Sequence, residues 1–181
     1  MEMKKIALID IDGCLSDYPN SLFLDLLKKE TGLKFNSKDE ILDKLGVSKY
    51  NFFKSMLRIN GLKIKYNFRS DALNSIKFLK KEGYEIWINT SRPNIGENHK
   101  NSILWLKKNN ISYDHLIFTG KKGNFYISPF ELHSLIVIDD DDTAFIPFLT
   151  LKNVKLLKFG KTSKFKQVLS LKSWKDLEII L

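Results

Sequence analysis

Short apolar runs alternate with longer helical stretches along most of this chain. The segments 70–83 and 97–110 place apolar residues at helical spacing, and the first of them ends at Gly83. Strands that alternate with helices indicate right-handed βαβ units and a doubly wound α/β fold with a parallel sheet. The predicted strands are short apolar runs, each followed by a polar residue or glycine: 5–9, 84–89, 115–119, 135–138 and 154–159.

The alternation is interrupted after the first predicted strand. Residues 18–68 contain no convincing strand, only three helical pieces at 20–32, 38–46 and 48–61, each ended by a glycine. This pattern predicts a helical subdomain inserted after the first strand. Residues 1–17 and 69–181 would then form the α/β core, and 18–68 would form a helical cap over its site. The segment 173–181 is predicted to be a final short helix.

A parallel sheet places its ligands beyond the carboxyl ends of its strands, so polar residues at these positions are the candidates for chemistry. Asp10 and Asp12 directly follow the first strand, and Gly13 permits a sharp turn there. Side chains two apart in an extended chain point the same way. One carboxylate could therefore attack phosphorus while the other handles protons. The alternative is an acidic turn that caps a helix.

A second acidic cluster, Asp139 to Asp142, follows the strand 135–138. Four adjacent carboxylates repel one another, and a hard cation such as Mg²⁺ bound through oxygen would relieve that repulsion. The alternative is a solvated acidic turn. A metal site is favoured because the first acid cluster should lie on a spatially adjacent strand.

Donor groups follow the predicted strands 84–89 and 115–119. Thr90 and Ser91, with Arg92 behind them, could cradle phosphate oxygens through hydroxyl and backbone N–H groups, although a simple turn before a proline is the alternative. Lys121 and Lys122 follow the strand 115–119, where an ammonium could neutralise a phosphoryl group. In so lysine-rich a chain, a surface role for this lysine pair is the competing interpretation.

Composition favours one soluble domain with a small insertion. The chain has 181 residues, of which 43% are hydrophobic, and no apolar run long enough to span a bilayer. Its start lacks the features of a cleavable signal, so we expect a cytoplasmic protein with no membrane partner. The single cysteine, Cys14, has no disulfide partner, and the neighbouring acids disfavour a reactive thiolate.

The net charge of +9 raises the question of nucleic-acid partners. The only arginines are Arg58, Arg69 and Arg92, whereas base readout and bidentate phosphate recognition favour arginine. A lysine-rich solvated surface is therefore the favoured interpretation of the charge.

Taken in order, the four clusters resemble the motifs of the haloacid dehalogenase (HAD) superfamily. The string DIDGCLSD resembles its first motif, INTSRP its second, FTGKK its third and VIDDDD its fourth. The resemblance implies Asp10 as nucleophile and Asp12 as general acid and base, with Thr90, Ser91 and a lysine on the phosphate. It also implies Mg²⁺ held by Asp10, the main-chain carbonyl of Asp12 and Asp140, although Asp139 and Asp141 could compensate. Lys122 is favoured over Lys121.

DIDGCLSD, FTGKK and the helical insertion together resemble the 5′-(deoxy)nucleotidase branch, although the stretch from Lys122 to Asp139 is longer here. This implies a small phosphorylated substrate, a nucleoside monophosphate, with insertion rings such as Phe23 and Phe53 available for base stacking. The same rings would serve equally well as the insertion's own core. The alternative enzyme is a polynucleotide 3′-phosphatase acting on nucleic-acid ends, favoured by Arg92 and the charge, or another small-molecule phosphatase. A catalytically silent phosphate-binding module is the non-enzymatic alternative.

Overall fold

A computed structural model of the protein describes residues 3–94, 96–121 and 133–181. Its six strands are β1 (Lys5–Ile9), β2 (Tyr84–Thr90), β3 (His115–Phe118), β4 (Ser134–Asp139), β5 (Val154–Phe159) and β6 (Val168–Leu171). They form one sheet in the order β3-β2-β1-β4-β5-β6, and every neighbouring pair is parallel. This confirms the predicted doubly wound parallel sheet, in which the strand order reverses between β1 and β4.

The sequence pattern did not reveal β6. This edge strand is only 4 residues long and buries just its two ends, so it lacks the continuous apolar run of the inner strands. The helices are α1 (Ser21–Thr31), α2 (Lys38–Ile59), α3 (Ala72–Lys81), α4 (Gly96–Lys108) and α5 (Leu177–Ile180), with 3₁₀ helices at Leu62–Lys65, Asp142–Phe148 and Trp174–Asp176.

Gly46 separates the two helical pieces that the sequence predicts at 38–46 and 48–61. Its backbone has φ 73° and ψ 165°, which is not helical, so α2 is two helical segments joined at a kink. The glycine therefore interrupts the helix where the sequence predicts it, and the hydrogen-bonded pattern resumes directly afterwards.

The central strand β1 is buried on both faces. Ala7 and Ile9 join the larger core cluster on one side of the sheet, while Ile6 and Leu8 join a second cluster on the other. Full burial of an Ile or Leu side chain contributes roughly 1.5–3 kcal/mol, so these residues anchor the strand firmly. The residue that follows, Asp10, is consequently held on a rigid element.

The insertion has an apolar cluster of its own, formed by Phe23, Leu27, Phe35, Ile41, Tyr50, Phe53, Leu57 and Tyr66. Its first helix, α1, is capped by Asn20, whose Oδ1 accepts a hydrogen bond from the backbone N of Phe23 at 3.0 Å. It is tied to the α/β core by Trp105, whose Nε1 donates to the carbonyl of Tyr66 at 2.9 Å. The insertion therefore packs as a small helical layer on the core.

Within the described ranges, none of the helices combines the length and the apolar character that crossing a membrane requires.

Candidate active site

The acids that follow β1 and β4 come together. Ile9 and Ile138 are paired in register, and the backbone N of Asp10 donates to the carbonyl of Ile138 at 3.0 Å. Carboxylate oxygens of Asp10 and Asp140 and the Sγ of Cys14 all lie within 4.8 Å of one another. Asp10 is buried, whereas Asp140 is partly exposed. Two sequence-predicted metal ligands thus share one small volume at the carboxyl edge of the sheet.

Gly13 makes this approach possible. Its φ is +106°, and a Cβ atom at this position would lie 2.4 Å from the Asp140 carboxyl carbon. A side chain here would therefore force the Asp140 carboxylate to shift. The glycine thus permits the observed position of Asp140 as well as the turn.

The other three acids of the cluster have distinct roles. Asp139 is buried, and its Oδ1 accepts a hydrogen bond from the Asp141 backbone N at 2.9 Å. Asp141 binds Lys38 at 3.0 Å and caps the 3₁₀ helix Asp142–Phe148. Asp142 binds Lys158 at 2.9 Å and accepts a short hydrogen bond from Ser163. Of the candidates that the sequence leaves open, Asp139, Asp140 and Asp141, the structure groups Asp140 with Asp10.

The Asp12 carboxylate contacts two positively charged side chains. Arg92 donates from Nη2 to Oδ1 at 2.5 Å and from Nε to Oδ2 at 3.2 Å, and the Lys63 ammonium makes a short contact with Oδ2. Burial by itself would raise the pKa of the Asp12 carboxyl, but Arg92 and Lys63 outweigh it and hold that pKa well below its usual range. The proton-handling candidate is therefore an ionised carboxylate in this arrangement.

Lys63 is the residue that sequence reasoning missed. It lies in the 3₁₀ helix Leu62–Lys65 at the end of the insertion and is only 2% exposed. Burial lowers the pKa of its ammonium to about 7, although contact with Asp12 acts in the opposite direction. A lysine between two apolar residues, Leu62 and Ile64, was the available signal, but it is weak in so lysine-rich a chain.

Thr90 and Arg92 are both buried at the end of β2. Ile88 is paired with Ile9, which places Thr90 beside the start of the loop that carries Asp10. The Thr90 Oγ1 accepts a hydrogen bond from the Arg92 backbone N at 3.3 Å. Ser91 is half-buried between them. Arg92, a candidate for direct substrate binding, instead engages Asp12 and donates to Ser102 Oγ at 3.1 Å.

Two groups of predicted residues do not join this cluster. Phe23 is 0% exposed and Phe53 is 8% exposed, and both belong to the insertion's own apolar cluster. The stacking prediction is therefore corrected: these rings are enclosed by their neighbours, which is the alternative that the sequence left open. Lys122 lies outside the described residues, and Lys121 is exposed after β3.

A cleft of about 530 Å³ opens beside the Asp10–Asp140 pair, between the insertion and the α/β core. Its volume is in the range of small-molecule binding sites. The lining includes Gly13, Asp140, Tyr18, Lys38, Lys158 and Lys161. A small, charged ligand could therefore reach the acidic pair from this side.

No protein-family model matches the chain, and no curated protein matches it. Solved structures do. A candidate β-phosphoglucomutase from Thermotoga maritima has a TM-score of 0.64 at 12% identity, over 98% of each chain. The candidate HAD-hydrolase YfnB from Bacillus subtilis, in a structure bound to magnesium, has a TM-score of 0.64 at 13% identity, over 99% of each chain.

D,D-heptose 1,7-bisphosphate phosphatase from Burkholderia thailandensis has a TM-score of 0.58 at 11% identity, covering 98% of this chain and 97% of that one. At such low identity these likenesses establish the fold. The chain therefore has the Rossmann-like α/β fold of the HAD-hydrolase structures, and its acidic pair lies where that fold places ligands.

Proposed function

We propose that this protein is a phosphomonoester hydrolase that acts through a phosphorylated Asp10. The observation that carries the proposal is the meeting of the Asp10 and Asp140 carboxylates, within 4.8 Å, at the carboxyl ends of two neighbouring strands. Thr90 adds a hydroxyl at the end of the next strand, β2. A nucleophile, an acidic ligand for a cation and a phosphate-binding hydroxyl are thus supplied by three adjacent strands.

The residues at this position suit a hard divalent cation. Two carboxylates are oxygen donors of the kind that Mg²⁺ prefers, whereas the thiol of Cys14 is a soft donor that does not suit it. The absence of a side chain at Gly13 leaves room for the Asp140 carboxylate in its observed position. Asp10, Asp140 and the main-chain carbonyl of Asp12 would hold Mg²⁺, which when bound neutralises charge on the phosphate oxygens.

The reaction proceeds in two displacements at phosphorus. An Asp10 carboxylate oxygen attacks, the bond from phosphorus to the ester oxygen breaks, and the departing oxygen keeps the electron pair and takes a proton from Asp12. Water then attacks the aspartyl-phosphate and gives its proton to the Asp12 carboxylate. This second attack releases inorganic phosphate and restores Asp10.

The two steps place different demands on Asp12. Because Arg92 and Lys63 hold its pKa low, Asp12 is ionised as water activation requires. To protonate a leaving group, Asp12 must first take up a proton from solvent, so esters with good leaving groups, such as aryl phosphates, should be cleaved more readily than alkyl phosphates.

Thr90, the backbone N–H of Ser91 and Lys122 complete the proposed phosphate site. Thr90 and Ser91 support this role by their position after β2, beside the strand that carries Asp10. Lys122 is proposed from its motif alone. Hydroxyl and N–H donors would bind the oxygens that become more negative as phosphoryl transfer proceeds.

We further propose that residues 18–68 act as a cap and that the physiological substrate is a nucleoside 5′-monophosphate. Three ion pairs between the insertion and the core support the cap: Lys38 with Asp141, Lys63 with Asp12, and Asp39 with Lys161. Support for the nucleotide comes from the resemblance of DIDGCLSD, FTGKK and the insertion to the nucleotidase branch. The cleft volume is compatible with a mononucleotide.

The test is phosphate release from an aryl phosphate with and without Mg²⁺, using Asp10→Asn as the matched control. Magnesium-dependent release that the variant lacks supports the hydrolase, and binding of phosphate without release would identify a silent module. A panel of nucleoside monophosphates, sugar phosphates and 3′-phosphorylated oligonucleotides then tests the substrate. Higher kcat/KM for oligonucleotides, with steep salt sensitivity, would indicate the end-processing enzyme instead.

A further inference from the structure

The insertion contributes a buried lysine, Lys63, that contacts the Asp12 carboxylate. Lys63 and Arg92 have side chains only 3% and 1% exposed, and both contact the same carboxylate. Arg92 reaches both Asp12 oxygens as a fork, which fixes the plane of the carboxylate. Lys63 contacts Oδ2 from the insertion side. The carboxylate is thus held from the core and from the insertion at once.

Burying an ammonium group is costly, and an ion pair in the interior commonly adds little stability over apolar residues of the same size. Fold stability alone therefore explains this lysine poorly. The 3₁₀ helix Leu62–Lys65 is also anchored independently of Lys63. The residue that ends it, Tyr66, accepts the hydrogen bond from Trp105 Nε1 at 2.9 Å, and Tyr66 packs in the insertion's apolar cluster.

We propose that Lys63 is a positioning residue for Asp12, an inference that rests on the proposed hydrolase function. Lys63 acts through Asp12 and touches neither phosphorus nor the departing oxygen. By fixing Oδ2 it places the carboxylate for proton transfer, and it makes that placement depend on the insertion being docked. Misplacing a reacting group by about 1 Å can cost on the order of a hundredfold in rate.

A double-mutant cycle with an aryl phosphate tests this inference. A good leaving group removes the need for a proton from Asp12 in the first displacement, and a high enzyme concentration makes the slow water attack in Asp12→Asn measurable. We expect Lys63→Met to lower kcat by about ten- to a hundredfold in the wild-type background while KM changes less than about threefold. In the Asp12→Asn background the same substitution should lower kcat by less than about twofold, since the group through which it acts is gone.

Lys158→Met is the matched control. Lys158 is another largely buried lysine, 8% exposed, and it is ion-paired with Asp142 rather than with Asp12. Any loss that Lys158→Met causes should be the same in both backgrounds. If Lys63→Met does not fold, as judged by circular dichroism and thermal unfolding, Lys63→Gln takes its place because glutamine retains a hydrogen-bond donor.

An equal loss of kcat for Lys63→Met in both backgrounds would show that Lys63 only stabilises the fold, and the inference would be overturned. A change confined to KM would overturn it as well, by indicating substrate contact. Failure of the proposed function gives a different result, namely a wild-type protein without magnesium-dependent phosphate release.

Discussion

Gly13 lies so close to Asp140 that a Cβ atom on the glycine would be 2.4 Å from the Asp140 carboxyl carbon and 2.5 Å from its Oδ2. The contact joins the loop after β1 to the loop after β4. The Gly13 backbone faces the Asp140 side chain, so the carboxylate would have to move if a side chain were introduced at position 13. The direction in which Asp140 points is therefore set partly by a residue that has no functional group.

Gly13→Ala should disturb the metal site as well as the turn. Gly83→Ala is the matched control, because Gly83 also has a positive φ, +83°, yet a Cβ there meets nothing within 4 Å. Both variants should lose roughly 1–2 kcal/mol of unfolding free energy from left-handed backbone strain. Only Gly13→Ala should also raise the Mg²⁺ concentration needed for half-maximal activity. If both variants needed the same Mg²⁺ concentration, the contact between Gly13 and Asp140 would have no effect on the metal site.

Asp10→Asn should abolish turnover while the fold is retained. The substitution keeps the size of a buried side chain but removes the attacking carboxylate, so kcat should fall by more than about a thousandfold. Phosphate release at saturating Mg²⁺ measures the loss, and thermal unfolding checks the fold. A variant that folds normally and keeps a tenth of the activity would rule out the covalent mechanism.

Asp140→Asn should weaken Mg²⁺ dependence far more than Asp141→Asn or Asp142→Asn. Asp140 shares a small volume with Asp10, whereas Asp141 and Asp142 bind Lys38 and Lys158 respectively. Magnesium activation curves for the three variants measure this, and Asp140→Asn should shift the midpoint by at least about tenfold. Equal shifts in all three, or full wild-type activity in a chelator, would refute the assignment.

Asp141 should make stability depend on pH in the acid range. Burial alone would raise its pKa, but Lys38 and the Thr143 N–H hold that pKa well below its usual value of 3.8. A carboxyl whose pKa is lowered on folding stabilises the native state above its unfolded pKa and loses that contribution as the pH falls toward the folded pKa. The stabilisation is therefore complete at pH 7 and declines below about pH 4.

Asp141→Asn isolates this effect, because asparagine can still accept the capping hydrogen bond from the Thr143 backbone N. The variant should lose about 0.5–1 kcal/mol at pH 7, and its Tm should converge with that of the wild type as the pH falls below about 4. Thermal unfolding of both proteins from pH 7 to pH 2.5 makes the comparison. A constant difference in Tm across this range would show that the ion pair with Lys38 contributes nothing.

The chain's local patterns predicted most of the α/β core. Apolar runs such as 5–9 identify inner strands, because a parallel strand buried on both faces must be apolar along its whole length. The short edge strand β6 escaped this criterion since only its ends are buried. Asp10 directly follows such a run, so the sequence alone determined its position at the carboxyl end of β1.

Only the tertiary structure decided which residues from distant segments come into contact. The register of β1 with β4 brings Asp140, which only the resemblance to the fourth motif singles out among four consecutive acids, into one small volume with Asp10. Packing also buries Phe23 and Phe53 in the insertion's own cluster, and it brings Lys63 to Asp12 across 51 positions of chain. A side chain's neighbours in a loop or an inserted layer are set by long-range docking, and sequence periodicity describes only the orientation of a residue within its own helix or strand.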